Sequence, residues 1–366
     1  MPVSKEQILT ALKEVMDPDF GKDLVSLNMV GEIHIEGNRA DIEIVLTTPA
    51  CPLKSQIEQD IRGAVSRHIE EPLEIHVHFD SRVTTMRQQQ ELLPGVQNII
   101  AVASGKGGVG KSTISVNLAL GLAATGARVG LLDADIYGPS IPLMMGLSTA
   151  RPVIGEVNGK DYLMPVEKNG VKVLSIGFLV DEKQAIVWRG PMATSALQQF
   201  ITDVHWGELD YLILDLPPGT GDIHLTLVQT VPVTGAVIVT TPQKVAMADA
   251  RKAIAMFTLD QINVPVLGLV ENMAWFTPAE LPENKYYIFG KDGGRQLAED
   301  AGIPYLGAIP LVQDIREGGD NGLPAVLQED AITRKAFEDL AHAVAQQVSI
   351  RNATREATRK VEIQNG

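Results

Sequence analysis

The chain has 366 residues, which ordinary domain sizes divide into two domains or three. Its 45% apolar, 21% charged and 5% aromatic residues exclude a wholly disordered or collagen-like chain. With 31 Lys and Arg against 45 Asp and Glu, the net charge is −14, and a nucleic-acid partner held by non-specific phosphate contacts is not expected. The single cysteine, Cys51, allows no internal disulfide and no tetrathiolate metal site within one chain. No apolar run approaches the roughly eighteen residues of a membrane span. Met1–Gln7 lacks the charged-then-apolar layout of a signal peptide. A cytoplasmic protein without a membrane partner is the expectation.

Residues 5–16 space Ile8, Leu12, Val15 and Met16 on one helical face. Ile33 and Ile35 alternate with polar neighbours, Gly37-Asn38 turns the chain, and Ile42, Ile44 and Leu46 alternate again, which predicts a hairpin. Ile57, Ile61, Val65 and Ile69 mark a second helix, and 73–79 returns to strand alternation. Residues 1–86 therefore read as a small α/β domain of order αββαβ. The polar run Arg87-Gln88-Gln89-Gln90-Glu91, closing with Leu92-Leu93-Pro94-Gly95, reads as a linker over 87–95.

From residue 96 the texture changes. Apolar runs at 98–103, 128–132, 210–214, 235–240 and 265–270 alternate with helix-length segments. Nearly continuous runs suit parallel strands buried on both faces, so 96–350 is expected to be a doubly wound, mostly parallel α/β domain. Residues 351–366 lose hydrophobic periodicity and are expected to fray.

Gly105-Lys106-Gly107-Gly108-Val109-Gly110-Lys111-Ser112-Thr113 follows the first of these strands and opens a helix marked by Ile114, Leu118 and Leu122. The G-x-x-x-x-G-K-S spacing lets backbone N–H groups surround phosphate oxygens, with the helix dipole behind them. Lys111 places a charge on the β- and γ-phosphates, and Ser112 offers an oxygen to Mg²⁺. Nucleotide binding follows. A generic phosphate loop does not require Lys106, whose position makes it available to a facing subunit. Two further runs end in carboxylates, Leu131-Leu132-Asp133-Ala134-Asp135 and Leu212-Ile213-Leu214-Asp215. Carboxylates at the C-terminal edge of parallel strands face the ligand crevice, or else cap turns. Gly219 and Gly221, after Pro217-Pro218, suit a switch segment.

The string from Gly105 to Thr113 resembles the deviant Walker A loop of the MinD, ParA and nitrogenase iron-protein superfamily. That resemblance implies an ATPase with ATP and Mg²⁺ as cofactors, working as a homodimer in which Lys106 reaches the partner's nucleotide. It implies Lys106, Lys111 and Asp135 as catalytic residues, Asp135 orienting the attacking water. Ser112 and Asp215 would hold Mg²⁺, Asp215 through water. Asn272, in Glu271-Asn272-Met273, resembles the asparagine that reads adenine; a turn asparagine is the other reading. Pro310 would wall the base.

Asp133-Ala134-Asp135-Ile136-Tyr137-Gly138-Pro139-Ser140 looks like the Mrp (ApbC-like) iron–sulfur carrier branch. So do Trp188-Arg189-Gly190-Pro191, the segment Asp215–Asp222, and Thr241-Pro242-Gln243. The leading unit is similar to the metal–sulfur cluster assembly domain, on Asp17-Pro18-Asp19, Asp23-Leu24-Val25 and Thr47-Thr48-Pro49-Ala50-Cys51-Pro52. The implied function is a slow ATPase that carries iron–sulfur clusters to apoproteins. A positioning or partner-switch ATPase of the ParA or MinD kind, without a cluster, is the alternative.

Many members of that branch carry C-x-x-C where this chain reads Trp275-Phe276-Thr277-Pro278-Ala279-Glu280-Leu281-Pro282, with no thiol, as in the plastid-type branch. Cys51 is the remaining candidate iron–sulfur ligand. It precedes a helix whose dipole is expected to lower its pKa. The other reading is a small buried apolar residue. His76 and His78 share one strand face and could assist, or are simply exposed.

Overall fold

The computed structural model describes residues 3–69, 71–86, 93–179, 190–278, 280–281, 283–329 and 331–356. Contacts divide the chain into two units. The first takes the N-terminal residues through Thr84 together with Ser349–Thr354; the second runs over Thr85–Val348.

In the first unit, α1 (Lys5–Leu12) opens with a capping box. Ser4 Oγ accepts from the Gln7 N–H at 3.3 Å, and Gln7 Oε1 accepts from the Ser4 N–H at 2.8 Å. The helix stops short of Met16, which is exposed and enters a small β1 (Met16–Asp17)–β2 (Lys22–Asp23) ladder. Beyond the helix, local effects hold the chain in a turn. Pro18 disfavours helical backbone at Asp17, and Asp17 Oδ1 accepts from the N–H groups of Asp19 and Phe20 at 2.8 and 3.1 Å. β3 (Val30–Glu36) and β4 (Arg39–Leu46) form the expected antiparallel hairpin around Gly37, which sits at φ +62°. α2 (Lys54–His68) then returns the chain so that β5 (Glu74–Ser81) pairs parallel to β4. Ile8 and Leu12 from α1, Ile42 and Ile44 from β4, and Ile57 and Ile61 from α2 are all sealed in one core.

The second unit is built on one eight-stranded sheet. Its strands are β6 (Val96–Ala103), β7 (Val129–Asp133), β10 (Val166–Lys168), β11 (Val171–Ser175), β12 (Leu209–Asp215), β13 (Gly235–Thr240), β14 (Val266–Glu271) and β15 (Tyr305–Ala308). The order is β10-β11-β7-β12-β6-β13-β14-β15, parallel throughout except that β10 pairs antiparallel with β11 at one edge. Every residue of β7 and β13 is buried, which is why those runs read as continuous rather than alternating. The connecting helices are α3 (Lys111–Ala124), α4 (Ile141–Met144), α5 (Gly190–Thr202), α6 (Asp222–Thr230), α7 (Lys244–Thr258), α8 (Gly293–Ala301), α9 (Gln313–Asp320) and α10 (Ala331–Thr354).

Five strands of this unit lie outside the apolar runs, the edge strand β15 among them. The β8 (Val153–Val157)–β9 (Lys160–Met164) hairpin and the β10–β11 pair are short and partly polar. Their signal was the turn chemistry: Asn158-Gly159 and Asn169-Gly170 all take positive φ, as two-residue hairpin loops require. The chain remains helical through Thr354, past Arg351 where periodicity is lost. Polar residues occupy buried positions there: Arg351 and Asn352 are both buried, and Asn352 Nδ2 donates to the Thr84 carbonyl at 2.8 Å. The polar run 87–92, Trp188-Arg189, Ala279, Pro282 and the tail from 357 lie outside the described residues. Among the described residues, no helix is long and apolar enough to cross a membrane.

Candidate active site

The phosphate-loop residues leave β6 at Ala103 and enter α3 at Lys111. Gly108 and Gly110 take φ +79° and +81°, left-handed conformations that favour glycine. A Cβ at Gly105 would run into the backbone of Asp249 and Ala250, and one at Gly110 would overlap Asn272 Nδ2. Asn272 Nδ2 donates to the Val109 carbonyl at 2.8 Å, so this buried amide braces the loop itself. The bond engages one N–H and leaves Oδ1 and the second N–H for a base. Asn272 also lines a cleft of about 390 Å³ with Thr113, Met273, Pro310, Leu311 and Arg316. Pro310 and Asn272, distant in the chain, thus line one opening beside the loop.

Gly110→Ala should lower nucleotide affinity by about tenfold or more, because it displaces the Asn272 brace and its bond to Val109. Gly126→Ala is the control: φ is +97° there, but a Cβ would meet open space. That variant should lose about 1 kcal/mol of stability and leave nucleotide affinity unchanged. Titration calorimetry and thermal melts of both variants check the pair.

The charges gather where β6, β12 and β7 run side by side. Register places Asp215 beside Val102 on one flank and Asp133 on the other. Lys111, 6% exposed, has Nζ 2.8 Å from Asp215 Oδ2 and 3.8 Å from Asp135 Oδ2. Ser112 Oγ donates to Asp215 Oδ2 at 2.7 Å, and Lys111 Nζ lies 3.2 Å from Ser112 Oγ. Sequence reasoning missed two hydroxyls. Ser115, one turn beyond Lys111, donates to Asp215 Oδ1 at 2.6 Å, and Ser175 at the end of β11 donates to Asp133 Oδ2 at 2.9 Å. An i+4 spacing from Lys111 could have flagged Ser115; nothing local flags Ser175.

Burial pushes the Asp133 carboxyl well above its ordinary range, and the neighbouring Asp215 charge pushes it further. Burial also raises Asp135, with Lys111 opposing. Among the described residues no three His, Cys, Asp or Glu side chains converge on a metal position. The donor set instead fits Mg²⁺ in the phosphate-loop manner, a hydroxyl and a carboxylate oxygen completed by phosphate and water.

Lys106 is exposed, and its ammonium has no ion-pair partner among the described residues. Its carbonyl accepts from Ser104 Oγ at 3.0 Å, which sets the loop backbone and leaves the side chain outward. The segment after Asp215 is held beside the loop by the Leu216 N–H, which donates to the Val102 carbonyl at 3.1 Å, and the Gly219 N–H, which donates to the Ser104 carbonyl at 2.8 Å.

Cys51 lies in the first unit between β4 and α2, half-buried against the core. Burial pushes its thiol up, and the charges of Asp19 and Asp17 add to the rise. The expected lowering by the helix dipole is not what the structure gives. α2 begins only at Lys54, so desolvation outweighs a dipole that has already faded. The two histidines face neighbouring carboxylates: His76 Nε2 is 3.0 Å from Glu74 Oε1, and His78 Nε2 is 3.4 Å from Asp41 Oδ1.

A family model described as NUBPL iron-transfer P-loop NTPase matches residues 95–345. A second, described as iron–sulfur cluster assembly protein, matches residues 5–89. An iron–sulfur cluster carrier protein from Synechocystis is 47% identical, covering 95% of this chain and 99% of its own. One from Deinococcus radiodurans is 48% identical, covering 94% and 96%. Among solved structures, a nucleotide-binding protein from Archaeoglobus fulgidus in complex with ADP is 40% identical with a TM-score of 0.57. It covers 66% of this chain and 91% of its own. The loop, the strand-end carboxylates and the full-length likeness agree: the chain belongs to the family of NUBPL iron-transfer P-loop NTPases.

Proposed function

We propose that the protein is an ATP-hydrolysing carrier of iron–sulfur clusters that acts as a homodimer and delivers its cargo to apoproteins. The observation that carries the ATPase half is the contact set of Lys111, Ser112 and Asp215 at the mouth of the phosphate loop. Loop N–H groups bind the phosphates, and Lys111 exchanges its Asp215 contact for phosphate oxygens. Mg²⁺, when bound, neutralises phosphate charge. Ser112 and Asp215 hold it on the protein side. Asp135 sits within reach of Lys111 and orients the attacking water by accepting its hydrogen bond. The outward Lys106 serves the nucleotide of the facing subunit. Names carried by relatives at 47–48% identity support the cargo half.

Cys51 is the cargo ligand in this reading. A dimer offers two such thiols, fewer than the four ligands a cluster ordinarily takes, and each is held up in pKa. A cluster so held is labile, which suits delivery. Anaerobically reconstituted Cys51→Ser should lose most of its iron and sulfide and its ability to activate an apoprotein. Equal iron, sulfide and delivery in the variant would overturn the assignment.

Two observations favour a second reading, a partner-switch ATPase without a cluster: Cys51 packs half-buried against the core of its unit, and among the described residues no three His, Cys, Asp or Glu side chains converge on a metal position. Wild-type protein that hydrolyses ATP yet retains no iron and sulfide after reconstitution would support it.

A further inference from the structure

His224 lies in the first turn of α6, directly after the glycine-rich segment that follows Asp215. It is 2% exposed, and among the described residues neither ring nitrogen has a hydrogen-bond partner. A neutral imidazole always presents one N–H donor and one bare nitrogen, so burying both unpartnered is unfavourable. Native structures seldom keep such a group without a use for it.

Its surroundings are specific. Burial favours the neutral ring, while the carbonyls of Gly221 and Pro217 lie close enough to favour the charged one without reaching hydrogen-bond geometry. The Lys111 charge is also felt at the ring. The ring thus feels both ends of the Pro217–Gly221 segment and the charge of the phosphate-binding lysine. The segment is loosely packed at its glycines, with the Gly219 N–H donating to the Ser104 carbonyl. A Cβ added at Gly219 or Gly221 would meet nothing within 4 Å, and Pro218 only grazes the Gly107 position at 3.9 Å.

We propose that His224 is a positioning residue of the ATPase: when a nucleoside triphosphate occupies the loop, the Pro217–Gly221 segment shifts and one of its carbonyls accepts the imidazole N–H. The unpartnered ring then stores a preference for the triphosphate state. A nucleoside diphosphate leaves the segment where it is and the ring unpaired. Asp215, which opens the segment, contacts both Lys111 and Ser112, so rearrangement of the phosphate contacts is transmitted directly into this backbone.

This inference rests on the nucleotide site proposed above, and the test separates the two. Affinities for ADP and for a non-hydrolysable imido analogue of ATP are measured on wild type, His224→Leu and His224→Gln, with thermal midpoints in the absence of nucleotide. His224→Leu should keep its ADP affinity and an equal or higher midpoint, because a buried unpaired donor has been removed. Its preference for the analogue over ADP should fall about tenfold, the effect of one recovered hydrogen bond, and kcat should fall with it. His224→Gln retains a donor at similar reach and should restore the preference to within about threefold of wild type. Should His224→Leu fail to fold, His224→Asn, whose amide is too short to reach, takes its place with the same expectation. An unchanged analogue-to-ADP preference in the Leu or Asn variant overturns the proposal. So does a Gln variant that loses as much as Leu while both melt lower, since that pattern marks packing alone. Wild type that binds neither nucleotide would instead overturn the nucleotide site.

Discussion

Lys111→Ala is expected to abolish ATP hydrolysis and to weaken nucleotide binding by on the order of a hundredfold or more. Lys111 is the cation that the loop directs inward, and it is 6% exposed, so solvent cannot replace its charge. Removing it also leaves Asp215, Asp135 and Asp133 crowded together without a countercharge. Breaking a buried pair by deleting one partner costs about 3–5 kcal/mol before relaxation. Protonation offers the relaxation: burial already raises Asp133 and Asp135, and loss of the lysine raises them further. The sign follows. A carboxyl whose folded pKa is raised destabilises the fold once pH exceeds its unfolded value, and the penalty disappears as pH falls below that value. The midpoint deficit of the variant should therefore be largest at neutral and alkaline pH and shrink toward pH 4. Thermal melts across pH, alongside single-turnover hydrolysis, check both parts. Near-normal turnover would remove the phosphate-loop assignment.

Lys106→Ala should separate binding from catalysis. The side chain is exposed and its ammonium unpaired among the described residues, so its loss should change stability by no more than about 0.5 kcal/mol. Affinity for ATP should stay near wild type, because the loop N–H groups and Lys111 are untouched. Hydrolysis should fall on the order of 10³-fold, as when a cation supplied from a facing subunit is withdrawn. Mixing Lys106→Ala with Asp135→Ala subunits then gives a distinctive result. In the heterodimer, one site combines an intact Asp135 with the partner's Lys106, while the other site lacks both groups. A 1:1 mixture that exchanges freely should thus regain up to about a quarter of wild-type activity from two nearly inactive proteins. Heterodimers demonstrated by mass spectrometry with no regained activity would refute a shared site.

The sequence by itself determined what is contiguous along the chain. The phosphate loop was legible because Gly105 to Thr113 encodes its own backbone, with glycines where φ is positive and a lysine and serine at the helix start. The hairpin at Gly37 and the buried parallel strands were legible for the same reason, since burial on two faces writes an unbroken apolar run. Asp215 could be nominated because it closes such a run, and Asp135 because it follows the end of another by two residues.

Only the tertiary structure decided what these residues face. Asp133 and Asp215 are neighbours because β7 pairs with β12, a register carried by no local pattern, and the same pairing order brings Ser175 from β11 to Asp133. Cys51 shows the contrast most plainly. Its position just ahead of a helix argued for a lowered pKa, yet burial against the core and the charges of Asp19 and Asp17 raise it. His224 reads in the chain as an ordinary helical residue, and packing buries its ring with neither nitrogen in a hydrogen bond among the described residues. The physical reason is common to all three. Backbone conformation depends on neighbours along the chain, whereas the solvation and charge of a side chain depend on neighbours through space, which the fold brings together.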